Sequence, residues 1–461
     1  MRVINDCDSL LKMEKNLSIF TEEFGNRAEY EHLKFKEASD LPKKTKLVIV
    51  GAGLAGISIA AKAWHLGFRN EDLIILDEND YFAKQFIERT RNINQKVMRS
   101  PYKHHTGPSQ DLSLSDFARL NYKKLSRAEK HQLYLDRLGE RAIPPLDFFL
   151  SHTIHVVIKH SLHTNAYKFK VKEIYKKGDS WIIEDDNNNL IQSKYVILAL
   201  GSKVSNSNQI PPMTVPLFNS LSTSINDYLS EKNQDICVVG SGNTAAHVIL
   251  SALLRGKKVN WIIRNEEIYK CTDIPHEYWR DEGLSSFMKL SIPERELKLK
   301  EIFHGSAMLE HFYLFRYFKK RGSLKVYEHT VIEKQVALDK IQLSNKEIIH
   351  VDAVVLSNGL VPSKLPSIQF DILTKKGLPI LIDETLEVAK GSNLYIASTH
   401  SILSLGPAAK NIDGARLASE RILIDIVNKE NKSNILYSND LNNSINRVRR
   451  SFFGTTGAIT G

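Results

Sequence analysis

Three glycines at positions 51, 53 and 56 have the spacing of a loop that binds a pyrophosphate, although a lone glycine-rich turn is common in structural loops. A short β-branched run at residues 46–50 precedes them, and an alanine-rich helical segment follows. Gly51 permits a tight turn, Gly53 lets the backbone approach a phosphate, and Gly56 lets the helix pack closely on the strand. Asp77 ends the next apolar run, about 20 residues further on, where a carboxylate can bind a ribose hydroxyl. The ordered set predicts a dinucleotide-binding unit.

The same pattern returns downstream. Gly240, Gly242 and Ala245 follow a second β-branched run and open an apolar helix, and alanine is tolerated as the third small residue of this fingerprint. Asn243 stands beside these residues and is a candidate for cofactor positioning. Where the first unit ends its second strand with an acid, this one ends with Arg264. A guanidinium suits a 2′-phosphate, so the sequence favours NADPH over NADH, with an ordinary surface arginine as the alternative.

Two further turns of small residues are placed to approach a bound dinucleotide. An apolar run at residues 195–200 ends in Gly201, where small side chains let the chain pass close to the cofactor. Gly406 and Ala408 lead into a helical segment that ends near residue 427. The positive end of that helix can face a second anionic centre, such as a reduced flavin ring.

A polar insertion at residues 81–144 follows the first unit, in the place where substrate-side residues often lie. It contains Met98, Arg99, Tyr102, His104 and His105. Adjacent histidines alone are poor metal ligands, and no third ligand stands at a helpful spacing, so no metal site is predicted. A solvated or hydrogen-bonded loop pair is the alternative to a role for the two histidines in a site.

The elements that position these residues form two similar halves, each with a nucleotide unit, a β-meander and a strand that ends in glycine. The predicted fold class is α/β, with two Rossmann-like domains, the second inserted into the first, and a helical insertion after the first βαβ unit. We predict an N-terminal extension at 1–43, a first domain at 44–225 and 360–428, a second domain at 226–359, and a C-terminal tail at 429–461.

Composition limits the classes of function. The 461 residues carry a net charge of +10 and three cysteines, too few for a disulfide framework, and this fits a reducing compartment. The basic residues are scattered, and no zinc-finger spacing, RNA-binding signature or long basic tail occurs, so no nucleic-acid partner is expected. No signal peptide and no apolar run of 18 residues occurs, so no membrane partner is expected and the cytoplasm is favoured by default. A homo-oligomer stays open.

With both fingerprints placed, residues 44–428 resemble the flavoproteins with two dinucleotide-binding domains. This group includes disulfide reductases, flavin-containing monooxygenases and the lysine/ornithine N-hydroxylases. The resemblance implies FAD in the first fingerprint and NAD(P)H in the inserted second one. It assigns the FAD fingerprint to Gly51, Gly53, Gly56 and Asp77, and the NADPH fingerprint to Gly240, Gly242, Ala245 and Arg264.

The missing motifs separate the branches of this group. Disulfide reductases carry paired redox cysteines and a closing strand that ends in Gly-Asp, whereas this chain has no such pair and reads Ser-Thr-His at 398–400. Flavin-containing and Baeyer–Villiger monooxygenases carry a motif with a glycine and a histidine that residues 218–228 lack. The layout is most similar to that of the N-hydroxylases, with a Met-containing loop and Leu-Ser-rich helix at 98–120 and an acid-and-aromatic stretch at 273–287.

The resemblance therefore implies an FAD-dependent, NADPH-consuming monooxygenase that uses O₂ and a flavin hydroperoxide to N-hydroxylate an amine-type small molecule. Arg99, Tyr102 and His105 are the expected catalytic residues, near the isoalloxazine or the substrate. One alternative is an FAD-dependent NAD(P)H reductase or oxidase without oxygen insertion. A second is a non-catalytic FAD-binding regulatory module.

Overall fold

The structure is a computed structural model that describes residues 19–20, 33–108, 113–205, 210–303 and 305–431. Most of the predicted N-terminal extension and C-terminal tail lies outside these residues. The helices are α1 (Leu54–His65), α2 (Lys84–Asn92), α3 (Leu114–Leu120), α4 (Arg127–Arg137), α5 (Leu146–Lys159), α6 (Ile225–Tyr228), α7 (Asn243–Leu254), α8 (Asp281–Met288), α9 (Ile292–Ile302), α10 (His311–Lys320), α11 (Ile402–Leu405) and α12 (Ile412–Asn431).

The strands are short, and most belong to one of two sheets. In chain order they are β1 (Lys36–Glu37), β2 (Lys44–Val50), β3 (Leu73–Asp77), β4 (Ala166–Lys168), β5 (Val171–Lys177), β6 (Ser180–Asp185), β7 (Leu190–Leu198), β8 (Ser202–Val204), β9 (Leu217–Asn219), β10 (Asp235–Val239), β11 (Lys258–Ile262), β12 (Tyr269–Lys270), β13 (Ala307–Met308), β14 (Leu324–Tyr327), β15 (Ile332–Ala337), β16 (Lys340–Leu343), β17 (Ile348–His350), β18 (Ala353–Leu356), β19 (Leu360–Pro362), β20 (Ser367–Gln369), β21 (Thr374–Lys375), β22 (Leu378–Pro379) and β23 (Leu394–Ile396).

The first sheet has the order β1-β4-β3-β2-β7-β6-β5-β20, and β23 also pairs with β7. Strand β2 is parallel to β3 and β7, with Val50 opposite Leu76 and Leu198. Residues 47–50 are apolar and buried, as expected for a parallel strand that helices cover on both faces. The carboxyl ends of β2, β3, β7 and β23 therefore meet at one edge, where ligands of such sheets bind.

The second sheet has the order β14-β11-β10-β18-β9, and all of its pairs are parallel. The chain leaves the first unit along β8 and returns along β19, and these two strands pair antiparallel. A three-stranded antiparallel meander, β15-β16-β17, follows β14. This arrangement confirms the predicted α/β fold with two Rossmann-like units, the second inserted into the first.

The insertion between β3 and β4 is helical, as predicted, and contains α2 to α5. The sequence at 113–120 predicts a capped helix, and the cap is present, since the Ser113 hydroxyl accepts a hydrogen bond from Asp116 N at 3.0 Å. The sequence also predicts a long helical region from residue 292 to about residue 321, and this prediction is wrong for the stretch between the two helices. The chain forms α9 and α10 there, separated by an irregular stretch and β13, which pairs in parallel with β12.

Some residues pack across the predicted domain limits. Ile274, Tyr278 and Phe287 belong to the apolar core of the first unit, although they lie between strands β11 and β14 of the second sheet in sequence. Phe35 also belongs to that core, and its N–H donates to the Asp80 carbonyl at 2.8 Å. Ile93 on the insertion packs in the core of the second unit. The two units thus share extensive apolar contacts, and the limits of the domains stay a prediction.

Candidate functional site

The first glycine loop lies at the carboxyl edge of the first sheet. Gly51 has a φ of +113°, and a Cβ there would overlap the carbonyl oxygen of Ala199. A Cβ on Gly56 would overlap the carbonyl oxygen of Gly51. Gly53 differs, because a Cβ there would meet nothing within 4 Å, and it caps α1 without a side-chain hydrogen bond. Space beside Gly53 and free N–H groups at the start of α1 fit the pyrophosphate of FAD.

Asp77 ends β3 beside this loop. Its carboxylate accepts hydrogen bonds from Ala52 N at 2.6 Å, and from the backbone N and the side-chain Nδ2 of Asn79 at 2.8 and 2.6 Å. The acid therefore joins the end of the second strand to the glycine loop. It is placed where the fingerprint requires a ribose-binding carboxylate.

The other predicted small residues follow the neighbouring strands. Gly201 has a φ of +66° just beyond β7. Next to it, the Ser202 and Thr399 hydroxyls lie 2.7 Å apart, so the ends of β7 and β23 are joined by two polar side chains that the sequence motifs did not indicate. Gly406 has a φ of +90°, and Ala408 is fully buried ahead of α12.

The second glycine loop repeats the geometry of the first. Gly240 has a φ of +132°, and a Cβ there would lie 2.6 Å from the Ser357 carbonyl oxygen, while a Cβ on Gly242 would meet nothing within 4 Å. Ala245 is completely buried. Arg264 is exposed just beyond the carboxyl end of β11.

Asn243 opens α7 beside this loop. Its Nδ2 lies 3.2 Å from His247 Nε2, and its Oδ1 is buried without a hydrogen-bond partner. An unpaired buried amide oxygen is costly and marks a place where a ligand donor would fit. The loop and this amide together fit a pyridine nucleotide.

Arg99 lies between the two units, and its side chain is 8% exposed. Its guanidinium forms an ion pair with Asp273 at 2.5 Å and lies within hydrogen-bonding distance of two stretches of the second unit. The acceptors there are Ser306 O at 3.0 Å, Ser306 Oγ at 2.9 Å, Lys270 O at 3.1 Å and Thr272 O at 3.2 Å. Burial lowers the pKa of Arg99, and the negative charge of Asp273 acts in the opposite direction by raising it. Its predicted catalytic role stays a prediction.

Tyr102 and His105 are buried in the insertion. Burial raises the pKa of the Tyr102 phenol and lowers the pKa of His105 well below its usual value, with the Arg416 cation as a second cause for the histidine. His105 Nδ1 accepts from Gly107 N at 3.1 Å, and its ring lies edge-on to His152. Both groups are therefore neutral near pH 7. Burial excludes a solvated His105, and its hydrogen bond from Gly107 agrees with the alternative of a hydrogen-bonded loop histidine.

The segment that carries these residues crosses two helices that face the carboxyl edge. The Ser58 hydroxyl on α1 donates to Thr106 O at 3.3 Å, and Arg416 Nη1 on α12 donates to Lys103 O at 3.1 Å. The segment that carries Tyr102 and His105 is thus held against α1 and α12, and the role of the two residues beside a flavin stays a prediction.

Sequence motifs missed a group of residues from the second half of the chain. The Trp279 indole lies edge-on to His104 with 4.5 Å between ring centroids, and its Nε1 is buried without a partner. Lys410 Nζ lies 3.9 Å from the centroid of the Phe303 ring, and burial lowers the pKa of this amine. No local spacing indicates these pairs, because each joins distant parts of the chain.

Several absences hold for the described residues. Cys237 is buried and Cys271 is exposed, and both are free thiols, while Cys7 lies outside the described ranges. No group of three or more histidine, cysteine or acidic side chains there could hold a metal ion. Within the same ranges, every helix is too short or too polar to cross a membrane.

The family follows from a comparison with known protein families. The model described as pyridine nucleotide-disulphide oxidoreductase matches residues 45–289, which is more than half of the chain. The chain belongs to that family. Membership makes it an oxidoreductase that depends on a flavin and a pyridine nucleotide, and confirms the expectation of an FAD- and NAD(P)H-dependent enzyme.

Solved structures show the same fold at low sequence identity. The ornithine N-hydroxylase of Kutzneria sp. 744, solved with reduced FAD, NADP⁺ and L-ornithine, is 13% identical, with a TM-score of 0.66 over 84% of this chain and 100% of that one. The ornithine hydroxylase of Pseudomonas aeruginosa is 15% identical, with a TM-score of 0.61 over 83% and 98%. The bacillithiol disulfide reductase of Staphylococcus aureus is 16% identical, with a TM-score of 0.59 over 84% and 99%.

These three neighbours include hydroxylases and a disulfide reductase, so the shared fold leaves the reaction of this pyridine nucleotide-disulphide oxidoreductase open. Among curated proteins, none matches the sequence.

Proposed function

We propose that the protein is an FAD-dependent, NADPH-consuming monooxygenase that N-hydroxylates a small primary amine. The observation that carries the proposal is the insertion segment at 98–107, which contacts α1 and α12 and in which the Tyr102 and His105 side chains are buried and neutral. Tyr102 and His105 are 1% and 3% exposed. Oxygen transfer requires that water be kept from the reacting groups, and it requires little acid–base equipment from the protein.

The chain's own residues have distinct roles in this proposal. Gly53 and the start of α1 bind the FAD pyrophosphate, and Asp77 binds its ribose. Gly242 and the start of α7 bind the pyrophosphate of NADPH, Arg264 binds the 2′-phosphate, and the unpaired Oδ1 of Asn243 accepts a hydrogen bond from the nucleotide. When bound, FAD supplies the redox and oxygen chemistry, and the protein supplies placement and exclusion of water.

His105 and Tyr102 are both neutral, so the insertion does not supply a general acid or base near pH 7. The lowered pKa of His105 and the raised pKa of Tyr102 leave neither group ready to exchange a proton near pH 7. They line a dry wall and orient the substrate. An amine that approaches this wall loses its proton readily, because burial disfavours its charged form. A free amine is the nucleophile that N-hydroxylation requires.

The amine class is also supported by the solved structures that share the fold, among them two ornithine hydroxylases and the cadaverine monooxygenase of Erwinia amylovora. The partners in this proposal are the small-molecule amine and O₂, and the site of action is the cytoplasm. NADPH is preferred over NADH because of Arg264.

Coupling of NADPH oxidation to product tests the proposal. The purified flavoprotein is supplied with NADPH, O₂ and each of a set of diamines and basic amino acids. Consumed NADPH, released hydrogen peroxide and hydroxylated product are then measured. We expect one amine to convert most of the NADPH consumption into product. Peroxide equal to NADPH with every amine would favour the reading without oxygen insertion.

One observation favours a reductase as the second candidate. Cys271 is exposed between Lys270 and Thr272, whose carbonyls both bind Arg99, so a free thiol lies on a fixed loop between the two units. The fold likeness to a bacillithiol disulfide reductase agrees with this candidate. NADPH-dependent cleavage of a low-molecular-weight disulfide that is lost in Cys271→Ser would support it, and retention of full activity in that variant would remove the thiol from the account.

A further inference from the structure

Residues 305–306 lie against the second glycine loop, although no sequence motif includes them. A Cβ on Gly305 would overlap the Ser241 hydroxyl and would lie 3.1 Å from Ser241 C and 3.2 Å from Gly242 N. The backbone at 305 is therefore in close contact with the turn that receives the pyridine-nucleotide phosphates. A side chain at 305 would have to displace the Ser241 hydroxyl and press on the backbone of that turn.

Arg99 holds this segment from the other unit of the fold. It contacts both the backbone oxygen and the hydroxyl of Ser306, and it ties Ser306 to the loop at 270–273 through the carbonyls of Lys270 and Thr272 and the carboxylate of Asp273. These two stretches also pair as strands, with Tyr269 opposite Ala307. One guanidinium therefore fixes the register of two chain segments next to the glycine loop.

The positive charge of Arg99 also acts on α7, the helix that follows the second glycine loop. Its positive charge contributes to the lowered pKa of His247 on α7 and of His311 on α10. Arg99 contacts Ser306, whose neighbour Gly305 lies against Ser241 and Gly242 immediately before α7 begins at Asn243. A cation in that position favours a bound polyanion.

We propose that Gly305 and Ser306 form an additional wall of the pyridine-nucleotide site, and that Arg99, from the insertion in the flavin-binding unit, is the positioning residue that holds this wall in place. This positioning role replaces the catalytic role that the sequence predicts for Arg99, since its guanidinium is bound by Asp273, Ser306 and the Lys270 carbonyl of the second unit. Arg99 sets the affinity for NADPH, and it makes that affinity depend on how the two units are placed.

The insertion offers a matched control for Arg99. Arg141 lies on the same insertion and forms a two-pronged ion pair with Glu310, at 2.5 Å from Nε and 3.1 Å from Nη2. Loss of this pair removes an arginine–carboxylate bridge between the same two units without touching residues 305–306. The variants to compare are Arg99→Ala, Arg99→Lys, Gly305→Ala and Arg141→Ala.

The test measures anaerobic reduction of the purified flavoprotein by NADPH in a stopped-flow instrument, which gives the dissociation constant and the limiting rate without any oxygen chemistry. We expect Arg99→Ala to raise the dissociation constant roughly tenfold or more, as for the loss of hydrogen bonds from a charged group. Its limiting rate and its FAD content should change less than twofold. Arg99→Lys should recover part of the affinity because it keeps the charge, and Gly305→Ala should weaken NADPH binding in the same way.

Three results would overturn the proposal. These are a change below twofold in the dissociation constant of folded Arg99→Ala, an equal loss of affinity in Arg141→Ala, or an unchanged affinity in Gly305→Ala. If Arg99→Ala does not fold, Gly305→Ala and Arg99→Lys decide the matter alone. Because the readout ends at reduced flavin, it is independent of whether oxygen is later inserted into an amine.

Discussion

Asp77 Oδ2 accepts a hydrogen bond from the backbone N–H of Ala52 at 2.6 Å, which joins the end of one strand to the glycine loop that follows its neighbour. The other carboxylate oxygen accepts two bonds from Asn79. The acid that the fingerprint assigns to a ribose thus also organises the protein before any cofactor binds.

Asp77→Ala should weaken both folding and FAD binding. The substitution leaves Ala52 N–H without its acceptor, which costs about 1–3 kcal/mol in the free energy of unfolding, and it removes the ribose contact. Denaturant unfolding of the apoprotein and equilibrium titration with FAD measure the two effects. Asp80→Ala is the control, because the half-exposed Asp80–Lys84 pair contributes at most about 1 kcal/mol. Equal FAD affinity in the wild type and Asp77→Ala would contradict the assignment.

Gly53 and Gly56 should respond differently to alanine. Gly53→Ala places its methyl group in open space, so the free energy of unfolding of the apoprotein should fall only by the cost of a poorer N-cap, about 0.5–1 kcal/mol. FAD affinity should still fall, since the methyl group occupies the approach of the pyrophosphate. Gly56→Ala overlaps the Gly51 carbonyl and should destabilise even the apoprotein, by roughly 1–3 kcal/mol.

Thermal and denaturant unfolding of the two apoproteins, with FAD titration of each, separates these cases. A Gly53→Ala protein that binds FAD as the wild type does would place the pyrophosphate elsewhere. A Gly56→Ala protein of unchanged stability would contradict the close packing of α1 on the loop.

The glycine loops could be predicted from sequence because their requirements are local. Gly51, Gly56 and Gly240 are fixed by contacts within one strand–turn–helix unit or with the adjoining strand, and the spacing alone reports this. The partners of Arg99 could not be predicted, since Asp273 and Ser306 lie 174 and 207 positions away. The sequence around an arginine in an insertion does not indicate which distant carbonyl groups the guanidinium will contact.

The break between α9 and α10 was missed for a similar reason. The sequence at 292–321 predicts a long helical region. The chain instead pairs Ala307 with Tyr269 and packs Gly305 on Ser241, so tertiary contacts override the local preference. The join of Ser202 with Thr399 likewise depends on the neighbouring ends of β7 and β23.

Arg264→Ser should reduce discrimination between NADPH and NADH. A charge-assisted hydrogen bond to a 2′-phosphate contributes about 1.5–3 kcal/mol, so kcat/KM for NADPH should fall roughly 10- to 100-fold while the value for NADH stays nearly constant. Arg255→Ser is the control, since Arg255 lies at the opposite end of α7 and binds the side chain of Asn226. Parallel loss with both nucleotides would show that Arg264 does not read the phosphate.

Stability should fall in mild acid because of buried histidines. Burial, with the Arg99 charge as a lesser cause, lowers the pKa of His247 to about 3, below its usual value of 6.5. Between these values the unfolded state binds a proton that the folded state does not. The free energy of unfolding therefore decreases as pH falls below 6.5, by about 1.4 kcal/mol per pH unit for each such histidine.

His247→Gln should reduce the slope of the free energy of unfolding against pH by the contribution of one proton. Glutamine retains an acceptor for Asn243 Nδ2 but does not titrate. Denaturant unfolding at pH 7.5, 6 and 5 measures the slope, to which His105 and His311 also contribute because their pKa values are lowered in the same direction. An identical slope in the variant and the wild type would mean that His247 is accessible to protons in the folded state.

The measurement that most directly tests oxygen insertion is product analysis under ¹⁸O₂. The flavoprotein is incubated with NADPH and the best amine from the coupling screen under labelled oxygen gas. The mass of the product is then measured by mass spectrometry. The account predicts one labelled oxygen atom on the amine nitrogen, with one NADPH consumed for each product molecule. Peroxide as the sole labelled species, with the amine unchanged, would contradict it.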